Sequence, residues 1–174
     1  MKLTTYCFEE AGPQNTEQTL EIALERALAR GIRQVVVASS HGSTARKAHA
    51  LFSPKGIQVF AVTIGHSWEG VGWCMSAETK AELRAMGVEV ITGIHALGDG
   101  VGSALSEKHG GRSPAEIVRD TMYRFGQGMK VAVECLLMAA DAGGLDMSQE
   151  VIAIGGTGSG ADTAIVCKPA YPRT

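Results

Sequence analysis

Five short apolar runs separated by helical patterns constrain the fold of this chain most strongly. They cover residues 35–38, 59–62, 88–91, 151–154 and 164–167. Most lack polar alternation, which is typical of parallel strands covered by helices on both faces. The alternation of these strands with helices along the chain predicts a three-layer α/β/α fold with a mostly parallel sheet. The last two strands, joined by a Gly-rich segment, are predicted to form a C-terminal hairpin.

Helical periodicity and capping residues fill the intervals between the strands. Ser113-Pro114-Ala115-Glu116 is a capping box with proline at the first helical position. Asn15 or Thr16 is the predicted cap of the first helix, and Ser76 caps a later one. The predicted helices cover residues 16–30, 44–51, 77–86, 101–107, 114–125 and 127–141. No composition break divides the chain, so we expect one domain over residues 1–174.

Composition and charge exclude several classes of function. The chain has 16 Lys and Arg against 18 Asp and Glu, a net charge of −2, and no block of like charges. Nucleic acid is therefore not an expected partner. No apolar run is long enough for a membrane span, and the N-terminal segment lacks the pattern of a secretory signal. The four cysteines are far apart, which favours a reduced, cytoplasmic location.

Of the 22 glycines, 12 lie in polar segments that follow the predicted strands. These segments are 39–44, 63–72, 92–102 and 155–162. In parallel α/β sheets, ligands bind beyond the carboxyl ends of the strands. We therefore expect the first three segments, and with them a ligand site, along one edge of the sheet.

The first of these segments has the composition of a phosphate site. It lies between a strand and a helix, where backbone N–H groups and the helix dipole favour an anion. Gly42 would let the backbone approach the ligand closely. The hydroxyl donors come from Ser40, Ser43 and Thr44. The GxxxxGK[ST] pattern of a Walker loop is absent, so simple NTP hydrolysis loses support.

Other chemical signals are weaker. The Gly-rich segment 155–162 has the wrong spacing for a dinucleotide fingerprint. No HxH or HxxxH pair occurs, so no metal site is predicted. Lys130 and Glu134 stand four apart and are predicted to form an ion pair on one helix face. Trp68 and Trp73 could stack on a flat ring or simply cover their loop.

Several motifs, in order, resemble one known family. "VVVASSHGSTARKA", "VFAVT" and "EVIAIGGTGSGADTAIVCKPA" resemble the C-terminal domain of pyruvate kinase, in which the matching Ser/Thr-rich turn cradles a sugar-phosphate effector. "NTEQTL", "GIHALGDGV", "FGQGMKVAVE" and "MAADAG" extend the match to stand-alone relatives of that domain, found mostly in archaea and bacteria. The resemblance covers nearly the whole chain. It implies a pyruvate kinase C-terminal-domain-like fold and an FMN site.

The resemblance also implies roles for individual residues. It assigns the phosphate to Ser39, Ser40, Gly42, Ser43 and Thr44. Other matching positions would line the ligand or close over it: Thr63, His66, His95, Gln127, Lys130, Gly156, Thr157, Gly158, Gly160 and Asp162. The chain departs from the family pattern at residues 98–100 and in the loop 68–73.

Three functions follow as hypotheses. The first is binding of FMN, or a related phosphorylated ligand, with the flavin carrying any redox chemistry and Lys130 near the ring. The second is a non-enzymatic sensor of a phosphorylated metabolite, since the catalytic barrel of pyruvate kinase is not expected here. The third is a hydrolase or isomerase that uses His95 with Asp162. A homo-oligomer is expected from the frequency of such assemblies.

Overall fold

The computed structural model describes residues 4–174 and contains one five-stranded sheet. Residues 1–3 lie outside the described part. The predicted domain and the segment searched for a secretory signal both begin there. The strands are β1 (Gln34–Ala38), β2 (Gln58–Thr63), β3 (Glu89–Thr92), β4 (Val151–Gly155) and β5 (Thr163–Cys167). Their order is β3-β2-β1-β4-β5; the first four are mutually parallel and β5 is antiparallel to β4. The predicted parallel sheet and C-terminal hairpin are confirmed.

Six α-helices and four short 3-10 helices connect the strands in the described part of the chain. The α-helices are α1 (Thr16–Arg30), α2 (Ser43–Phe52), α3 (Ala77–Ala85), α4 (Val101–His109), α5 (Pro114–Met122) and α6 (Gln127–Asp141). The 3-10 helices are Pro13–Asn15, Ser53–Lys55, His66–Val71 and Tyr123–Phe125. None of the helices within residues 4–174 has the length and apolarity needed to cross a membrane.

The core lies on both faces of the sheet because successive strand side chains point to opposite sides. Val35 and Val37 of β1 pack in one apolar cluster with residues of α1, α2 and α3, among them Phe52 and Leu83. Val36, between them, belongs to a second cluster formed mainly with α6. These two clusters confirm the predicted three-layer arrangement.

The start of α1 differs from the sequence prediction. Neither candidate side chain caps the helix: the Asn15 amide donates to Glu10 O at 2.7 Å, and the Thr16 hydroxyl donates to Pro13 O at 2.6 Å. The preceding 3-10 turn sets the direction in which the chain enters the helix. By contrast, Ser76 Oγ accepts the Thr79 N–H at the start of α3, as predicted.

The start of α5 is the predicted capping box. Ser113 N donates to Glu116 Oε2 at 2.8 Å, and Glu116 N donates to Ser113 Oγ at 3.3 Å. Hydrogen bonding from Ser106, and then from the Ser113 N–H, lowers the pKa of Glu116 to about 2. The ionised carboxylate therefore stabilises the folded state above the usual carboxyl pKa.

This stabilisation is expected to be lost as the pH falls from about 4.5 towards 2, because the unfolded state binds the proton first. Glu116→Gln should flatten the dependence of the free energy of unfolding on pH in that range. Urea denaturation at several pH values measures it. Glu107→Gln, on the exposed surface of α4, should keep the wild-type slope. An unchanged slope in Glu116→Gln would contradict the assignment.

The topology sets which segments can form a site. Because β1 to β4 are parallel, the loops that follow them emerge at one edge of the sheet. Helix α6 precedes β4 and therefore also begins at that edge. The four Gly-rich segments and the start of α6 thus share one side of the molecule.

Candidate ligand-binding site

The start of α2 presents unused hydrogen-bond donors at this edge. Gly42, the N-cap, has φ 89°, a left-handed conformation that favours glycine. Within residues 4–174, no protein acceptor takes the backbone N–H of Ser43 or Thr44, whereas the next two N–H groups of the helix bond to Ser39 Oγ and Gly42 O. These two free N–H groups lie at the positive end of the helix dipole, where an anion is favoured.

Two buried hydroxyls hold the loop before α2 in place. Ser39 donates its N–H to Val62 O at 2.9 Å, and its Oγ accepts the Ala45 N–H at 3.2 Å. The Thr63 hydroxyl donates to Ser40 O at 3.3 Å. Ser39 and Thr63 therefore shape the loop from inside the protein. The Ser40 and Ser43 side chains are exposed and available to a ligand.

A cation lies beside this loop. The Arg46 guanidinium is 3.1 Å from the position that a Cβ on Gly42 would occupy. Arg46 forms two hydrogen bonds to the Glu82 carboxylate, at 2.8 and 2.6 Å, which fix its direction. These bonds raise the pKa of Arg46 and lower that of Glu82. The paired guanidinium is thereby held beside the start of α2.

The loop after β2 carries the two tryptophans, which pack on each other. Their ring centroids are 5.2 Å apart and the planes differ by 14°. This contact is an offset stack formed within the loop itself. His66, in the same loop, is exposed, and its Nε2 lies 3.3 Å from Lys80 Nζ.

Asp99 joins the loops after β2 and β3. Its Oδ2 accepts the Trp68 indole N–H at 2.8 Å and lies 2.5 Å from His95 Nδ1. Burial opposes ionisation of Asp99, but the bonds from His95 and Trp68 and the charge of Lys130 outweigh it and hold its pKa below the usual value. The carboxylate is therefore ionised near neutral pH and fixes both aromatic side chains.

Helix α6 anchors the loop after β3 through a buried ion pair. Lys130 Nζ donates to Glu134 Oε2, and the Leu97 backbone N–H donates to Glu134 Oε1 at 2.9 Å. The Lys130 and Glu134 side chains are only 8% and 5% exposed. The Lys130 ammonium also lies 5.6 Å from the centre of the Tyr123 ring. The predicted pair forms, and it is buried in the interior.

The loop after β4 is held by Asp162. Its Oδ2 accepts the Gly12 N–H at 2.9 Å and the Thr157 N–H at 3.1 Å. A Cβ on Gly156 would lie 2.4 Å from Gly160 O, so the loop folds closely on itself. Gly158 is exposed at the tip of this loop, and the exposed Gln127 stands at the start of α6.

The structure therefore groups some predicted residues and separates others. The candidate phosphate residues 39–44 and Thr63 lie together. His95 pairs with Asp99, so the pairing with Asp162 weighed from the sequence does not form. The four-residue spacing of His95 and Asp99 was the one available signal for Asp99. No three His, Cys, Asp or Glu side chains within residues 4–174 are arranged to hold a metal ion.

The sheet order and the helices on both faces define an α/β protein of the doubly wound type with an antiparallel edge strand. Residues 17–167 match the family model "Pyruvate kinase, alpha/beta domain". The chain belongs to this family.

Solved structures similar to this chain include two of pyruvate kinase from Cryptosporidium parvum, one of them a complex with ADP. Both are 13% identical to this chain and are matched over 89% of it, with TM-scores of 0.49 and 0.48. The chain spans 23% and 24% of the length of those enzymes.

Proposed function

We propose that this protein binds FMN, or a closely related phosphorylated ligand, at the C-terminal ends of the strands, with the phosphate at the start of α2. The observation that carries the proposal is the pair of free backbone N–H groups at Ser43 and Thr44. A phosphate offers strong acceptors, and its charge is favoured at a helix N-terminus.

The surrounding side chains complete a donor set that suits a phosphate. Exposed hydroxyls of Ser40 and Ser43 flank the free N–H groups. The Thr44 side chain is buried at the start of α2. The Arg46 guanidinium, paired with Glu82, lies next to Gly42 and keeps further N–H groups there. Three kinds of donor, backbone N–H groups, hydroxyls and a guanidinium, thus lie in one small region.

FMN would supply the redox chemistry if it is bound. The chain's own residues would bind its phosphate and shield the rest of it. The stacked Trp68 and Trp73 form an aromatic surface in the neighbouring loop. The ammonium of Lys130 is already paired with Glu134, and its contact with the ring remains a prediction.

An absorbance spectrum of the freshly purified protein, before and after addition of FMN, tests the proposal. Flavin bands in the protein peak, or a shift on titration, are expected. A colourless protein that ignores FMN would refute the flavin assignment. Binding of sugar phosphates at the same loop would then favour the alternative, a non-enzymatic sensor of phosphorylated metabolites.

Replacing Ser43 by alanine together with Thr44 by valine tests where the phosphate lies. Each lost charge-assisted hydrogen bond costs about 1–3 kcal/mol, so the loss of two should weaken FMN binding by at least about 30-fold. Riboflavin, which lacks the phosphate, should bind the variant as it binds the wild type. Titration calorimetry measures both ligands, and Thr121→Val, on the exposed face of α5, is the control. Equal losses for FMN and riboflavin would place the phosphate elsewhere.

A further inference from the structure

A cavity of about 740 Å³ lies beside β5, the strand at the antiparallel edge of the sheet. Its other walls come from α1, the start of α6 and an N-terminal segment, residues 4–12, here called the strap. The volume is typical of a small-molecule site. The cavity shares Gln127, Thr157 and Asp162 with the residues that the family resemblance assigned to the ligand, but none of residues 39–44 lines it. It is therefore separate from the candidate phosphate loop.

The strap is held at its two ends. At one end the Thr4 carbonyl accepts a hydrogen bond from Arg26 Nη2 at 3.0 Å. At the other end the Gly12 N–H donates to Asp162 Oδ2 at 2.9 Å. Within the described residues, no backbone hydrogen bond joins the strap to β5. The strap therefore lies apart from the edge strand, and the cavity is the space between them.

The wall of this cavity is mainly apolar. Ile22, Ile165 and Val166 supply aliphatic surface, and Phe8 and Phe125 supply aromatic surface. The Phe125 side chain is largely exposed, and Val166 is partly exposed. An apolar ligand would remove this surface from water, which is favourable. The cavity thus suits a ligand with a mainly apolar body.

Arg26 is the one lysine or arginine on the lining, as far as the chain is described. Its hydrogen bond to Thr4 places the guanidinium at the cavity wall, because Thr4 also lines the cavity. A guanidinium has five N–H donors, and Arg26 makes no other side-chain hydrogen bond within residues 4–174. Arg30, one turn further along α1, is instead paired with Glu150. Donors of Arg26 therefore remain for a carboxylate, which a guanidinium can bind with two parallel hydrogen bonds.

Asp162 is the one acidic residue on the described part of the lining. Its Oδ2 accepts the N–H groups of Gly12 and Thr157, and its Oδ1 accepts the Thr163 hydroxyl. These three donors stabilise the carboxylate within the protein. Asp162 is therefore not the partner of Arg26.

The two charged groups lie at different ends of the cavity. The Thr19 hydroxyl donates to Ala161 O at 3.4 Å, which places the neighbouring Asp162 beside that turn of α1. Arg26 follows Thr19 by seven residues on the same helix, so it lies about 10 Å further along the helix axis. An anion bound at Arg26 is thus separated from the Asp162 carboxylate.

We propose that this cavity binds an apolar carboxylic acid in its ionised form. The carboxylate contacts the Arg26 guanidinium, and the apolar body lies between β5 and the strap. The charge of Arg26 selects the anion, and the apolar wall selects the body that carries it. The proposal does not require FMN at α2.

Titration calorimetry with 2-naphthoate and 2-naphthamide tests the ligand class, because the two probes have nearly the same size and differ in charge. The wild type should bind naphthoate at least about tenfold more tightly than naphthamide. Arg26→Gln should weaken naphthoate binding by about tenfold and leave naphthamide binding unchanged. A general collapse of the strap would instead weaken both probes.

Two further variants separate the site from the rest of the surface. Ala164→Phe adds a large side chain to the exposed, cavity-lining part of β5 and should weaken both probes. Arg33→Gln is the matched control and should bind both like the wild type. The Arg33 guanidinium also donates to one backbone carbonyl, Lys55 O at 3.2 Å, but Arg33 does not line the cavity.

Backbone amide NMR locates the bound naphthoate. Shifts should change at residues 163–166 and stay constant at residues 40–44. Equal affinity of the wild type for the two probes, or equal losses in Arg26→Gln and Arg33→Gln, would overturn the proposal. Displacement of naphthoate by FMN, or a dimer that covers β5 and excludes both probes, would overturn it as well. FMN titration without naphthoate is read separately, so failure here does not bear on the phosphate site.

Discussion

Glu134→Ala is expected to lower the free energy of unfolding by about 3–5 kcal/mol, because it leaves the Lys130 charge buried without its partner. Lys130 and Glu134 are 8% and 5% exposed, so water cannot readily replace the carboxylate. The Leu97 N–H would also lose its acceptor, which adds a cost of its own. Urea denaturation with linear extrapolation measures the change.

Two variants separate this effect from simple loss of side-chain volume. Lys130→Met combined with Glu134→Leu removes both charges and should recover much of the lost stability, since apolar replacement of a buried pair is often close to neutral. Lys47→Ala, which breaks the exposed pair with Glu17 at 3.0 Å, should cost less than about 1 kcal/mol. A double variant as unstable as Glu134→Ala would show that the ion pair is not the cause.

Gly155→Ala is expected to destabilise the protein by about 1–3 kcal/mol through overpacking between α6 and β4. A Cβ at this position would lie 2.4 Å from Gly128 O and 2.7 Å from Ala132 N. Both atoms belong to the backbone of α6, so relief requires the whole helix to move. Because the start of α6 and the end of β4 meet at the ligand edge, FMN binding should weaken as well.

Gly70→Ala is the control for this substitution. Gly70 has no atom within 4 Å of the position of a Cβ, and its φ is not positive. Its free energy of unfolding should change by less than about 0.5 kcal/mol. Equal stability of Gly155→Ala and Gly70→Ala would mean that the helix and strand can separate without cost.

Local patterns in the sequence were sufficient to predict most elements. Helix α6 spans Gln127–Asp141, with the bounds expected from its apolar periodicity, and the Ser113 capping box forms as predicted. The strand runs gave the parallel sheet, because uninterrupted apolar strands require cover on both faces. The start of α1 was one exception, since the 3-10 turn before it replaces the side-chain cap. Helix α5 was another, since it was expected to reach Phe125 but ends at Met122, followed by a 3-10 turn.

The candidate site was predictable only where it is made of consecutive residues. The loop before α2 combines its glycine, hydroxyls and helix start within residues 39–44, so the sequence alone indicated an anion site. The sequence did not show that Asp162 holds the loop after β4, because its hydrogen-bond partners Gly12 and Thr157 reach it only in the folded protein.

The sequence by itself thus determined the order of strands and helices along the chain and the composition of the candidate phosphate loop, residues 39–44. Only the tertiary structure decided the burial of Lys130 with Glu134 and the bond from Trp68 to Asp99, 31 residues apart. Spacing shows that two side chains can meet on one helix or loop. Whether water is excluded from the two side chains depends on which distant elements of the chain pack against them. That exclusion sets the strength of their interaction and their chemistry.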